Sequence, residues 1–331
     1  MMNEGINPAQ LHADSVVIDG LNASHFFDER VLERLHRGGV TAVNATIAAW
    51  HGPDETLATI TALGELMAER ADIVMPVHTV ADIAAAKASG RVGMIMGFQD
   101  TAPIGDDLGM LATYHDLGVR IIQLTYNDPN RVGYGCQAPV DTGLTPFGQE
   151  AVREMNRLGI LVDLSHCGPV TTMDAIAWSE KPVAITHSNP RRFFDHPRNK
   201  SDEAIRALAE RGGVIGAVAF SGLLTRRIPA TLADYMAAID DLVALVGVDH
   251  VALGPDFMEE MPAEVVAIVL KGLPPEILQH FKSMPPTQDF ESVAAFPNVT
   301  AGLLAQGYAV EDVGRILGGN WLRLYAEVWA G

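Results

Sequence analysis

The sequence predicts a (β/α)8 barrel of the TIM type, and three observations support this fold class. Eight short runs rich in Val and Ile recur without polar alternation, as parallel strands buried on both faces do. Segments with apolar residues at helical spacing lie between them. The length of 331 residues suits one barrel. We therefore predict a single barrel domain over residues 1–331; the competing doubly wound fold usually has a Gly-rich first turn, which "DGLNAS" is not.

The eight predicted strands are short. They lie at 15–20, 40–47, 92–98, 121–126, 160–166, 182–188, 214–220 and 250–256. Helices are predicted over 54–71, over 145–159, and over 201–213. The second has an N-terminal Thr-Pro and ends at a Gly, whereas the third begins at a Ser followed by two acidic residues.

Two segments are longer than simple strand–helix connections. Residues 127–144 form a loop rich in Gly, Pro and Asn after the fourth predicted strand, and residues 257–292 follow the eighth. Both leave the carboxyl ends of strands, where barrel enzymes build their active sites. We therefore expect both segments to be active-site loops.

Composition narrows the classes of function. A formal net charge of −18 disfavours nucleic-acid binding, because such a surface repels phosphate backbones. Two cysteines are too few for a disulfide framework. The first residues resemble no signal peptide, and no apolar run is long enough to span a membrane. These features predict a cytoplasmic protein without membrane or nucleic-acid partners.

The residues that end the predicted strands indicate chemistry. His166 and His187 end neighbouring strands, and Asp256 ends the last one. Imidazoles can hold a divalent ion, a carboxylate can move the proton of an attacking water, and an arginine such as Arg198 can bind a substrate carboxylate. A metal site and a metal-free proton-transfer site both fit this pattern.

Three segments then resemble the membrane (renal) dipeptidase family, which comprises binuclear zinc barrels of the amidohydrolase superfamily. They are "GLTPFGQEAVREMNRLGILVDLSH", "PVAITHSNPRRFFDHPRN" and "HVALGPDF". The resemblance extends from Asp19 to about Asn320. It implies that His166 and His187 hold the family's second metal, that Arg198 binds a substrate carboxylate, and that Asp256 shuttles protons.

The same resemblance shows where this chain departs from the family. Leu21 and Ala23 stand where the His and Asp of the first metal are expected, and neither side chain can ligate a metal. Gln99 replaces the Glu that bridges both metals, and Tyr126 replaces a substrate-binding His. The family's reaction uses a hydroxide that bridges two metals, so it should not survive unchanged.

Three hypotheses follow. The first is a dipeptidase-like metallohydrolase that acts on a dipeptide or a small amide bearing a carboxylate. It would hold at most one zinc ion at His166, His187 and Gln99, and Tyr126 would contact the substrate. The second is a metal-free barrel that binds a small carboxylate, and the third is a metal-independent acid–base enzyme. A homodimer is expected from the resemblance alone.

Overall fold

The computed structural model describes residues 5–225, 227–263, 266 and 284–329. Within them, a parallel sheet of nine strands has the order β1-β2-β4-β5-β6-β7-β8-β9, and β3 pairs with β4. The strands are β1 Ile18–Asn22, β2 Ala42–Ala48, β3 Val74–Pro76, β4 Val92–Phe98, β5 Val119–Gln123, β6 Leu161–Asp163, β7 Ala184–Ile185, β8 Val214–Ala217 and β9 Val251–Leu253.

The two ends of the sheet meet just beyond the last strand. Asn22 forms a parallel bridge with Phe257, and the Ala23 amide donates to the Phe257 carbonyl at 2.8 Å. The Asp256 amide donates to the Leu21 carbonyl at 3.2 Å. These bonds close the ring and confirm the predicted (β/α)8 barrel.

The observed strands are shorter than predicted at the ends that matter for the site. The runs 160–166, 182–188 and 250–256 leave the ladder at Asp163, Ile185 and Leu253. After β6 and β7, side chains take up part of the backbone amides: the Ser165 and Thr186 amides donate to Asp163, and the His187 amide donates to the Ser165 hydroxyl. The predicted site residues His166, His187 and Asp256 therefore lie on short turns, two or three positions beyond the observed ends of the strands.

Strand β3 was not predicted from the sequence. It has only three residues and ends in a proline, so it lacks the apolar run that marks the other strands. It pairs with the first half of β4, on the side where β5 pairs with the second half. The barrel itself therefore still has eight strands.

Helices cover the outside of the described barrel. They are α1 Pro8–Asp14, α2 Glu29–Arg37, α3 Pro53–Glu69, α4 Val80–Ser89, α5 Gly109–Asp116, α6 Pro146–Leu158, α7 Pro169–Trp178, α8 Asp202–Glu210, α9 Ser221–Leu224, α10 Leu232–Val246, α11 Phe296–Ala305, α12 Val310–Gly314 and α13 Asn320–Trp329. A single π-helical turn, Arg315–Gly319, leads into α13.

The predicted helix boundaries agree with the observed caps. The Thr145 hydroxyl accepts from the Gly148 amide at 3.0 Å, and Gly159 ends α6 in the left-handed conformation at φ 77°. The Ser201 hydroxyl accepts from the Ala204 amide at 3.2 Å. Polar caps and a terminal Gly satisfy helix-end groups, which is why these boundaries are readable from sequence.

The barrel interior has an apolar layer at its amino-terminal end. Each of the eight barrel strands contributes one buried side chain to it: Ile18, Ala42, Ile95, Ile121, Leu161, Ala184, Val214 and Ala252. Helix α13 closes this end with Trp321, whose indole Nε1 donates to the Leu253 carbonyl at 3.0 Å. Gly20 leaves room for that ring, because a Cβ there would lie 2.6 Å from it. This plug leaves the opposite, carboxyl end for the site.

The predicted active-site loops are described in part. Residues 127–144 carry neither helix nor strand, whereas residues 264–265 and 267–283 of the segment 257–292 lie outside the described residues. A single domain over 1–331 stays a prediction. Where the chain is described, helices long and apolar enough to cross a membrane are absent.

Replacing Trp321 by Ala should lower the free energy of unfolding by about 3–5 kcal/mol, because it empties a fully buried site and removes an indole hydrogen bond. Urea unfolding measures the change. Trp178→Ala is the control, since Trp178 is 42% exposed, and it should have a clearly smaller effect. Equal effects of the two substitutions would contradict the plug.

Candidate active site

A cavity of about 580 Å³ opens at the carboxyl ends of the strands. Five of the six residues predicted for the site line it: Gln99, Tyr126, His166, Arg198 and Asp256. The sixth, His187, is fully buried directly behind His166. The structure therefore brings the predicted residues together at the end of the barrel where active sites occur.

The centre of the site is the contact between His166 and His187. Their Nε2 atoms face each other at 3.0 Å. Two nitrogen ligands at a tetrahedral zinc ion lie about 3.3 Å apart, because each Zn–N bond is about 2.0–2.1 Å. The separation of the two Nε2 atoms is therefore close to that of two ligands of one ion.

Hydrogen bonds to the other ring nitrogens set the tautomers. The Asn127 side-chain oxygen lies 2.8 Å from Nδ1 of His166, so this nitrogen carries the proton. The Thr186 hydroxyl lies 2.8 Å from Nδ1 of His187 and gives its own proton to Asp163 at 2.6 Å. That hydroxyl can only accept from His187. Both Nε2 atoms therefore carry lone pairs.

Burial, together with the nearby Arg198 guanidinium, holds the pKa of both histidines well below the ordinary value. Both rings are consequently neutral at physiological pH. Two lone pairs that face each other at 3.0 Å repel, and a cation between them removes the repulsion. The donor set therefore fits one metal ion at this position.

Arg198 is held by backbone carbonyl groups rather than by an acidic partner. One terminal nitrogen, Nη2, donates to the His187 carbonyl at 2.8 Å, and Nη1 donates to the Ser165 carbonyl. The side chain is buried and lines the cavity. A guanidinium has five N–H donors, so donors remain for a bound carboxylate.

Asp256 lies opposite, three residues beyond β9. Its backbone adopts the left-handed conformation at φ 66°, which turns the chain into the cavity and which Asp tolerates better than most residues. Burial raises the pKa of Asp256 to about 6, although the Arg198 guanidinium opposes the shift. A carboxyl with such a pKa can exchange a proton near neutral pH.

Gln99 and Tyr126 occupy the wall beside His166. The Gln99 amide nitrogen donates to the Thr46 hydroxyl at 2.9 Å, which leaves its carbonyl oxygen as an acceptor. The Tyr126 ring stacks on the His166 ring with centroids 4.1 Å apart, and Trp50 meets Tyr126 edge-on at 4.5 Å. Burial raises the pKa of the Tyr126 phenol, which therefore stays protonated.

The position expected for a first metal has no ligand set. Leu21 is buried, and Ala23 presents only a methyl group to the cavity. Between them, Asn22 donates to Asp19 at 2.9 Å and so serves the strand end. Within the described parts of the chain, no three His, Cys, Asp or Glu side chains are arranged to share an ion. A binuclear centre therefore does not fit these residues.

Other side chains weighed as alternative ligands have structural contacts. His25 lines the cavity, but its ring pairs with Phe27 at 5.8 Å. Cys167 is buried and accepts from the Thr125 hydroxyl at 3.4 Å, and burial raises its thiol pKa to about 11. A protonated, packed thiol is a poor metal ligand.

The sequence reasoning missed three residues that shape the site. Asn127 and Thr186 orient the two imidazoles, and Trp50 forms part of the cavity rim. Thr186 directly precedes His187 and Asn127 directly follows Tyr126, so adjacency to predicted site residues was an available signal. Trp50 follows β2, whose carboxyl end had not been included in the ring of candidates.

Comparisons with known proteins identify relatives of this chain. The chain is 31% identical over 278 residues to dipeptidase tcpJ of Claviceps purpurea, covering 83% of this chain and 60% of that protein. It is 30% identical to dipeptidase aclJ of Aspergillus oryzae, over 78% of this chain and 57% of that protein. The chain thus spans about three fifths of the length of these curated relatives.

Among solved structures, an amidohydrolase from Pseudomonas aeruginosa superposes with a TM-score of 0.94 at 38% identity, over 98% of this chain and all of that one. A metallopeptidase from Rhodobacter sphaeroides, solved with a phosphinate mimic of L-Ala-D-Ala, shares the fold with a TM-score of 0.79 at 23% identity, over 96% of this chain and all of that one. A family model described as membrane dipeptidase (peptidase family M19) matches residues 8–268. The chain therefore belongs to the membrane dipeptidase family.

Proposed function

We propose that the chain is a dipeptidase-like metallohydrolase of the amidohydrolase type. It cleaves a dipeptide or a small amide that bears a carboxylate, and it works with one zinc ion held by His166 and His187. The observation that carries the proposal is the pair of unprotonated Nε2 atoms that converge at 3.0 Å. Family membership supports a metal-dependent hydrolase.

Each residue of the site has a role in this proposal. The ion would supply Lewis acidity, polarising the amide carbonyl and lowering the pKa of water. Asp256 accepts the proton of the attacking water and returns it to the leaving amine. Arg198 binds the substrate carboxylate through its remaining donors. The Gln99 carbonyl oxygen completes the donor set, and the Tyr126 phenol donates a hydrogen bond to the substrate.

Two further features remain proposals. The cysteines Cys136 and Cys167 are both free, which agrees with a reducing compartment, so we propose a cytoplasmic location. The resemblance to the family suggests a homodimer.

Protein purified without chelators should contain about one zinc per chain, because the pair supplies two oriented ligands to one ion. Elemental analysis measures the metal content. His166→Ala and His187→Ala should each lose the ion, whereas His51→Ala, which changes an exposed histidine at the cavity, should keep it. Protein that holds no metal and gains no activity with added Zn²⁺, Co²⁺ or Mn²⁺ would indicate a metal-free barrel instead.

Asp256→Asn should stabilise the chelator-treated protein at pH 8 but not at pH 4. Burial raises the pKa of Asp256 from 3.8 to about 6, so the folded state binds the proton more tightly than the unfolded state. The carboxylate therefore destabilises the fold above pH 6, and this penalty vanishes below about pH 4. Because the Asp256 side chain is partly exposed, we expect Asp256→Asn to raise the free energy of unfolding at pH 8 by only ~1–2 kcal/mol.

Urea unfolding at the two pH values tests this expectation. Asp289→Asn is a matched control, because Asp289 also has a positive φ of 65° but is exposed. At pH 8 the stabilisation by Asp256→Asn should exceed that by Asp289→Asn. A pH-independent effect of Asp256→Asn would show that its carboxylate is not held in an unfavourable environment.

Restoring the family's residues should create a second metal site. In the combined variant Leu21→His, Ala23→Asp, Gln99→Glu and Tyr126→His, the first three changes supply the missing ligands and the fourth restores the substrate-binding His. Its metal content should therefore rise from about one to about two ions per chain. Dipeptide hydrolysis should rise with it. Unchanged metal content would indicate that more than these four side chains separates this site from a binuclear one.

A further inference from the structure

The charged side chains that line the cavity differ from those expected in a site that binds zwitterionic substrates such as free dipeptides. Apart from histidines, Arg198 and Asp256 are the only acidic or basic side chains among the described residues that line it. Arg198 interacts electrostatically with Asp256 and so offsets part of its negative charge. A metal ion at the histidine pair would make this end of the cavity more positive still.

A free α-ammonium group would find few partners in this cavity. Ala23 and Gln99 stand where the family resemblance places acidic side chains, and both line the cavity. The Gln99 amide nitrogen is already bonded to Thr46, so its neutral carbonyl oxygen is what remains. Moving an ammonium group out of water without an anionic partner is unfavourable.

The rest of the cavity is strongly apolar. Its lining includes Ile47 from β2, Leu63 from α3 and Trp50 from the loop between them. The facing loop beyond β9 contributes the methionines Met258, Met261 and Met284. Methionine side chains adapt to irregular apolar groups and make favourable contacts with aromatic rings.

The rim indicates that this apolar space takes a ligand. Trp50 and Phe27 are 40% and 42% exposed, and both lie at the cavity. Exposed aromatic side chains gathered at one opening are typical of a surface that a ligand covers. The space of about 580 Å³ also exceeds what a dipeptide of two small residues needs.

We propose that the site selects N-acyl amino acids with a bulky apolar acyl group over free dipeptides. The carboxylate of the amino acid lies at Arg198, and the acyl chain lies between Trp50 and the three methionines. This inference rests on the proposed function and specifies its substrate class. In the reaction, water adds to the amide carbonyl and the C–N bond breaks. The acyl group leaves as a carboxylate, and the amino acid's nitrogen takes a proton.

Three ligands separate the effect of the α-ammonium group on binding from the effect of the apolar acyl group. 3-Phenylpropanoylglycine and phenylalanylglycine differ only by the α-ammonium group, and acetylglycine lacks the phenyl group. Isothermal titration calorimetry of the full chain, with zinc and with chelator, gives their Kd values. We expect 3-phenylpropanoylglycine to bind at least about tenfold more tightly than either of the others.

Substitutions test which residues cause the preference for 3-phenylpropanoylglycine. Gln99→Glu should improve phenylalanylglycine binding relative to 3-phenylpropanoylglycine, because it adds a carboxylate at a buried position. Gln137→Glu makes the same change at an exposed position of the same cavity and should leave the ratio unchanged. Trp50→Ala should weaken 3-phenylpropanoylglycine without affecting acetylglycine.

Phenylalanylglycine binding as tightly as 3-phenylpropanoylglycine would overturn the proposal, and so would equal binding of acetylglycine or no binding of any ligand. Chromatography of the zinc-containing samples reports hydrolysis separately. The expected order of Kd values without any hydrolysis would support the ligand selection and contradict the proposed hydrolase instead.

Discussion

One buried carboxylate determines how both histidines of the site are presented. Asp163, the last residue of β6, accepts from the amide and hydroxyl of Ser165 at 3.0 and 2.6 Å. It also accepts from the amide and hydroxyl of Thr186 at 2.9 and 2.6 Å. These four bonds join the turns after β6 and β7, which carry His166 and His187. Because Thr186 has given its proton to Asp163, it orients His187 with its Nε2 lone pair toward His166. The geometry of the histidine pair, which we propose binds a cation, thus follows from the packing of two strand ends.

The part of the site around Leu21, Ala23 and Gln99 has different chemical properties. Where a first metal is expected from the family, Leu21 and Ala23 offer only hydrocarbon, and Gln99 offers a neutral oxygen. Compared with the His, Asp and Glu that the family resemblance places there, these side chains provide fewer ligands and less negative charge to balance a second cation. These side chains also provide no anionic partner for the ammonium group of a substrate. We therefore infer that the same replacements account both for a single metal site and for the proposed preference for acylated, apolar substrates. The apolar side chains around Trp50 and Met258 agree with that preference.

Much of this arrangement is readable from sequence, and the failures have physical reasons. Buried parallel strands and capped helices leave strong local patterns, so the barrel and the cap at Thr145 were predictable. Strand ends were placed too late in five cases because the sequence pattern continues past the last paired residue. After β6 and β7, Asp163 accepts backbone amides in place of a neighbouring strand. Asn127, Thr186 and Trp50 were missed because their roles arise from contacts between elements distant in sequence. The short β3 carries too few residues for any pattern.

We propose that one ion, and only one, is shared by Nε2 of His166 and Nε2 of His187. Anomalous X-ray diffraction at the zinc edge, on crystals grown from chelator-free protein, can locate it. We expect a single anomalous peak about 2.0–2.1 Å from each of these nitrogens. No peak there, or a second peak beside Ala23 and Gln99, would contradict it.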